Sequence, residues 1–356
     1  MSSTTENHAE TSGHTPPLAD SIMDAIGSTP LVELQRILSS HSLAGRLLAK
    51  CEYLNPGFSK KDRIALEMLR EARRTGDLQP GQTVVELTSG NTGTGLALVC
   101  QALGHPFVAV ISKGNTIERA RMMQALGAEV VRVEQAPGSP PHQVSGEDLA
   151  LVEQRTREIV RERAAFRADQ FTLAGNVLAH QRYTGREMWQ QSNGQIDVFV
   201  DFAGTGGSFT GVMRYLQQQN PAIRGYLIEP ATAAVLAGKA VTQSSHPIQG
   251  GGYSMSELPL LDRGLVHGYL QVSNHEAVDC ARLLAREAGV FGGFSAGANL
   301  AGALQVLQQR ERGKTVAFVI CDSGLKYLST DLYPWEGPAP SGPVSREGPA
   351  PSGSRL

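Results

Sequence analysis

The sequence predicts an α/β protein built on open, mostly parallel sheets. Three observations predict it. Short apolar runs rich in Val and Ile recur along the chain, and their unbroken apolarity marks strands covered on both faces. Helical patterns separate these runs, as the crossovers of parallel sheets require. Glycine-rich turns follow two of the strands and lead into helices. The chain has 356 residues, 41% of them hydrophobic, enough for a large core normally divided into two domains.

Taken in order, Leu47–Leu54 reads as a strand that leads through a short turn, residues 55–63, into a helix. Val84–Leu87 is the next strand, followed by a helix over Thr92–Leu103. Phe107–Ile111 and Val130–Val133 read as strands around a helix at Ile117–Leu126. Gly146–Arg163 carries Glu153, Arg155, Arg157, Glu158, Arg161, Glu162 and Arg163, the pattern of a solvated helix face. The three prolines of Ala136–Gln143 place a surface loop before it. The alternation resumes with a strand at Val198–Phe202, a helix at Gly211–Gln219 and a strand at Tyr226–Glu229. Helices at His275–Ala288 and Ala296–Arg310 precede a final strand, Val316–Cys321.

Composition excludes several classes. A net charge of −2 gives no reason to expect nucleic acid or an anionic membrane surface. No apolar run reaches the roughly 18 residues of a membrane span. Met1 to Asp20 lacks the apolar centre of a secretory signal, so the expected location is the cytoplasm. Cys51, Cys100, Cys280 and Cys321 are scattered in apolar segments, which reads as buried free thiols and not as a disulfide or metal site. Residues 1–20 and 336–356 read as disordered tails; Gly-Pro-Ala-Pro-Ser-Gly occurs at 337–342 and again at 348–353.

Four segments carry candidate chemistry. The turn Asn55-Pro56-Gly57-Phe58-Ser59-Lys60-Lys61-Asp62-Arg63 holds lysines at a strand-to-helix junction, where an amine can form a Schiff base with pyridoxal phosphate. Alone, such a run is an ordinary solvated helix start. Thr88-Ser89-Gly90-Asn91-Thr92-Gly93 opens a helix, and N–H groups at a helix N-terminus attract an anion such as an amino-acid carboxylate. A simple N-cap explains the same residues. Gly204-Thr205-Gly206-Gly207-Ser208 also precedes a helix. Phe209 breaks the dinucleotide fingerprint, and no Gly-Lys-Ser/Thr follows, but the loop suits a single phosphomonoester. Cys321-Asp322-Ser323-Gly324 closes the last strand, with Asp322 read as a strand-end turn residue.

In order and spacing these motifs resemble the cysteine synthase and cystathionine β-synthase family of pyridoxal phosphate enzymes, over about Asp24 to Tyr333. The resemblance implies the fold type II, tryptophan synthase β-like architecture, two open α/β domains with pyridoxal phosphate in the cleft between them. Residues 21–54 would pack with the larger domain, 55–170 would form a smaller mobile substrate domain, and 171–335 the larger phosphate-binding domain. It implies Lys61, two residues after Ser59, as the catalytic Schiff-base lysine. Asn91 would meet the cofactor's 3′-oxygen, Gly204, Thr205, Gly206, Gly207 and Ser208 its phosphate, and Ser323 its ring nitrogen. Thr88, Ser89, Gly90, Thr92, Gln170 and Gly250 would bind substrate, and no metal is implied. A neutral serine at the ring nitrogen gives a weaker electron sink than a carboxylate would, which favours β-elimination over transamination.

The implied reaction is β-replacement on an O-activated L-serine, O-acetylserine or O-phosphoserine, by a sulfur nucleophile through an α-aminoacrylate. Cystathionine β-synthase, S-sulfocysteine or diaminopropionate synthase, and a non-catalytic protein-binding relative are the alternatives. A homodimer and a serine acetyltransferase partner are implied as well. Three departures stand out: Lys60 where the family is usually apolar, Ser208 for Thr, and Leu173-Ala174 for Asn-Pro.

Overall fold

The computed structural model describes residues 18–334 apart from 89, 140–143 and 245, so the predicted tails lie almost wholly outside the described residues. Among the described residues ten strands form two sheets. They are β1 (Leu31–Glu33), β2 (Arg46–Lys50), β3 (Val84–Leu87), β4 (Phe107–Ser112), β5 (Glu129–Val133), β6 (Phe166–Arg167), β7 (Val198–Phe202), β8 (Arg224–Pro230), β9 (Val266–Val272) and β10 (Thr315–Val319). The order is β1-β2-β10-β7-β8-β9 in one sheet and β5-β4-β3-β6 in the other. Every pairing is parallel except β1 with β2.

The helices are α1 (Gln35–Ser40), α2 (Lys61–Thr75), α3 (Asn91–Leu103), α4 (Ile117–Ala125), α5 (Gly146–Arg163), α6 (Gly175–Ala179), α7 (Arg186–Gln191), α8 (Gly207–Gln219), α9 (Asn274–Ala288) and α10 (Phe294–Gln309). A π-helical stretch, His180–Gly185, joins α6 to α7.

Both faces of each sheet are covered, which is why the strands read as unbroken apolar runs. In β7, Val198 and Val200 enter the core beneath α9 and α10, while Phe199 packs on the other side with Phe209 and Val212 of α8. In the smaller sheet, Val84 faces Leu96 and Met68, and Val85 faces Val152 and Ile159. Those last two residues correct the reading of 146–163. The charges of α5 do form surface ion pairs, Arg155 with Glu158 and Arg157 with Glu153, but a buried stripe seats the helix on the sheet.

Two boundaries differ in ways that matter for the site. The strand expected over Leu47–Leu54 ends at Lys50, its last pair with β10 being Val319. Beyond it Glu52 turns inward. Its buried carboxylate accepts from Arg63 at 2.6 and 2.8 Å and from Thr29 at 2.7 Å. Burial opposes that charge, but Arg63 outweighs the cost and holds the carboxyl below its usual range. Helices α8 and α10 begin at Gly207 and Phe294, earlier than the sequence suggested, so part of the glycine loop and Ser295 lie in first helical turns. The four cysteines are free: Cys51, Cys100 and Cys321 buried, Cys280 half-buried. Among the described residues no helix is long and apolar enough to cross a membrane.

Candidate active site

The lysine turn is fixed by backbone bonds to the end of β10. Lys60 N donates to Cys321 O at 2.9 Å, and Ser323 N donates to Phe58 O at 3.1 Å. Ser59 Oγ accepts from Lys61 N at 3.2 Å, so Lys61 starts α2 with its side chain in a pocket between the two sheets. That pocket is also lined by Asn91, Thr92, Gln170, Gly204, Thr205, Ser208, Gly250 and Ser295. Burial, and then the charge of Lys60, bring the Lys61 ammonium down to about 8. An amine so placed is readily deprotonated, as Schiff-base chemistry needs.

The glycine loop builds an anion site. Gly206 has φ +83°, and a Cβ there would stand 2.8 Å from Leu261 Cβ, so the turn into α8 needs glycine. The first turn of α8 then points its N–H groups at the pocket. Thr205 Oγ1 accepts from Asn176 Nδ2 at 2.9 Å and from Gly207 N at 3.3 Å, which leaves its own proton unspent by these bonds. Ser208 is different: Lys60 Nζ donates to its Oγ at 2.9 Å, and its hydroxyl donates to Asp201. Its single proton therefore turns inward, not toward a ligand.

Across the pocket, Thr88 Oγ1 accepts from Gly90 N at 3.0 Å and Gly93 N at 2.9 Å and so shapes the loop before α3. Gly90 has φ +128° and would press a Cβ into the Arg119 side chain. Thr92 Oγ1 donates to Gln170 Oε1 at 2.6 Å. Asn176 Nδ2 donates to Gln170 O at 2.7 Å, tying the Gln170 turn to the phosphate loop despite the Leu173-Ala174 change. Asn91 is held from below: Nδ2 donates to Asp322 at 2.7 Å, and Oδ1 accepts from Lys326 Nζ at 2.7 Å. Ser89 lies outside the described residues. Gly250 lines both this pocket and an adjoining cleft of about 1100 Å3, whose wall includes Thr88.

Ser323 is placed apart from the other expected cofactor groups. Ser323 does not line the pocket. Its hydroxyl caps the turn after β10, accepting from Leu325 N at 3.3 Å. Ser295 lines the pocket instead, beside Cys321. The confusion has a physical origin: Gly292 pairs with Ser323 in an isolated bridge, so two serine-bearing turns lie side by side. A signal was available in Gly292-Gly293-Phe294-Ser295-Ala296-Gly297, a glycine turn running into a helix. Asp322 is likewise more than a turn residue, since it is fully buried and accepts from both Asn91 and Tyr327.

An amine poised to deprotonate, a helix N-terminus for a phosphate, and a neutral hydroxyl in one pocket define an enzyme site suited to pyridoxal phosphate. Comparison with known proteins gives the same class. Residues 22–322 match the family described as pyridoxal-phosphate dependent enzyme. Cysteine synthase of Staphylococcus aureus is 37% identical over 319 residues, 89% of this chain and 98% of the relative. Cysteine synthase 3 of Caenorhabditis elegans is 37% identical and covers 87% and 88%. Among solved structures, O-acetylserine sulfhydrylase isoform 3 from Entamoeba histolytica superposes with a TM-score of 0.81 at 32% identity, over 91% of this chain and 95% of that one. An O-ureido-L-serine synthase gives 0.79 at 36%, over 89% and 96%. The chain belongs to the pyridoxal-phosphate dependent enzymes, in their cysteine synthase-like branch.

Proposed function

We propose that the protein replaces the β-substituent of an O-activated L-serine with a sulfur nucleophile, using pyridoxal phosphate held at Lys61. The observation that carries this is the convergence in one pocket of Lys61, the N-terminus of α8 and the Thr92–Gln170 pair. The names of the relatives support the same substrate class. When bound, the cofactor supplies the electron sink that weakens the Cα–H bond.

The chain's own groups do the rest. The N–H groups of α8 and the hydroxyl of Thr205 hold the phosphate. Ser295, which lines the pocket, would offer the ring nitrogen a neutral hydroxyl in place of Ser323. Asn91, fixed by Asp322 and Lys326, offers its remaining amide N–H to the 3′-oxygen. Thr88, Ser89, Gly90, Thr92 and Gln170 bind the substrate carboxylate, with Gly250 at the mouth. Lys61 takes the Cα proton, the β-substituent leaves with the Cβ–O electron pair, and Lys61 returns the proton to Cα after the nucleophile has added at Cβ. Residues 55–170 act as the smaller domain, which closes on 171–335 when a carboxylate arrives and so excludes water.

The reading extends to a cytoplasmic homodimer working with a serine acetyltransferase; family resemblance supports it, and sedimentation and co-purification test it. The reaction itself is tested by pairing O-acetylserine, O-phosphoserine and serine with sulfide, thiosulfate and homocysteine, and identifying products. Parallel initial-rate lines are expected when both substrates vary. A purified protein with no visible cofactor band and no product in any pairing would overturn the reading.

A further inference from the structure

Lys60 is the departure that the reaction leaves unexplained. Its side chain leaves the start of α2 and enters the larger sheet, where Nζ lies 3.1 Å from both oxygens of Asp201 in β7. Asp201 is fully buried and also accepts from Ser208 and, at 3.2 Å, from Asn299 Nδ2. Four donor contacts, two from Lys60 and one each from Ser208 and Asn299, converge on that carboxylate. A buried ion pair is costly to desolvate and is weak evidence of a stability role. Its position is the informative feature, because Lys60 and Lys61 line the same pocket and only Lys60 has a carboxylate partner. Two ammonium groups in one desolvated pocket repel, and the proton stays on the one with the counter-ion.

We propose that Lys60 is a positioning residue for catalysis: locked as the charged member of a buried ion pair, it makes its neighbour Lys61 the lysine that gives up its proton more readily. The inference rests on Lys61 being the cofactor lysine, as in the proposed function. The electrostatics agree in direction. Burial works against the Lys60 ammonium, but Asp201 outweighs it and holds Lys60 above the usual lysine range. The other groups facing Lys61 are Asp201, Cys321 and Asp322. Cys321 is pushed up to about 11, first by burial, and so stays a neutral thiol. His180, buried close by, is held well below its usual range by burial and then by the two lysines, and adds no charge. Asp201 and Asp322 favour a charged Lys61, but less than burial and Lys60 oppose it.

The test is amine labelling of the full-length chain, stripped of cofactor, across about pH 6–11, a span that brackets the lowered Lys61 midpoint and reaches the ordinary lysine value, with fragment-ion mass spectrometry separating the two lysines. In the parent protein Lys61 should label with a midpoint near 8, and Lys60 should stay inert. Lys60→Arg keeps the charge and should keep that midpoint. Lys60→Met/Asp201→Asn removes both charges without stranding a buried carboxylate. Lys60 opposes the Lys61 charge more than Asp201 favours it, so the midpoint should still rise, by about half a unit, which slows Lys61 labelling about 2.6-fold at a pH half a unit below the parent midpoint. Urea unfolding identifies the variants that remain folded. A folded double variant with the parent midpoint overturns the proposal. A borohydride-reduced holoenzyme whose cofactor maps to another lysine instead overturns the proposed function, so the two failures are distinct.

Discussion

Replacing Ser295 and Ser323 by alanine, one at a time, should separate two hydroxyls that the sequence confuses. Ser295 lines the pocket beside Lys61, and Ser323 caps a four-residue turn after β10. Ser295→Ala removes one neutral hydrogen bond to the cofactor, about 1 kcal/mol, or roughly a fivefold loss of affinity. Activity should persist, because Lys61, the phosphate site and the carboxylate site are untouched. Ser323→Ala removes only the 3.3 Å bond from Leu325 N. The backbone bond from Ser323 N to Phe58 O survives the change. Stability should fall by about 0.5–1 kcal/mol, the lower range for a lost cap, and cofactor affinity should hold. Titration of the stripped chain with pyridoxal phosphate, followed by visible absorbance, measures the first effect, and urea unfolding measures the second. A fivefold weaker cofactor in Ser323→Ala, with none in Ser295→Ala, would refute the assignment.

Lys61→Ala should lose the visible cofactor band and orders of magnitude in turnover, because one side chain serves as both attachment and acid/base; steady-state rates and a spectrum check it. Thr92→Val strands Gln170 Oε1 and frees the Gln170 side chain from its place at the carboxylate site, so KM for the amino-acid substrate should rise about tenfold while the cofactor band is unchanged. Glu52→Ala leaves Arg63 with Glu187 as its remaining carboxylate partner in a largely buried network, and urea unfolding should show a loss of about 3–5 kcal/mol. For the stripped protein, the Lys61 ammonium is depressed in the folded chain relative to the unfolded one. The unfolded state therefore binds more protons between about pH 8 and 10.5, and stability should rise with pH across that window and level off below it.

Much of the fold was legible because parallel strands covered on both faces leave unbroken apolar runs. Val84–Leu87 and Val198–Phe202 appear with the same bounds in sequence and structure. The edge elements were not legible. Strands β1 and β6 have three and two residues, too few to carry a period. In the proposed site, Lys61, Asn91 and the Gly204–Ser208 loop stand out in the sequence because each sits at a strand-to-helix turn with a distinctive local motif. Ser295 was missed because local sequence does not tell which of two adjacent serine turns faces the pocket. The Lys60–Asp201 pair was invisible for a different reason: its members are 141 positions apart, and only folding brings them together.

The central claim is that Lys61 is the amine that holds pyridoxal phosphate. Borohydride reduction of the purified holoenzyme, followed by peptide mapping, tests it most directly. The cofactor mass should fall on Lys61 alone, with Lys60 unmodified. A label on Lys60, or on any lysine outside this pocket, would contradict the account.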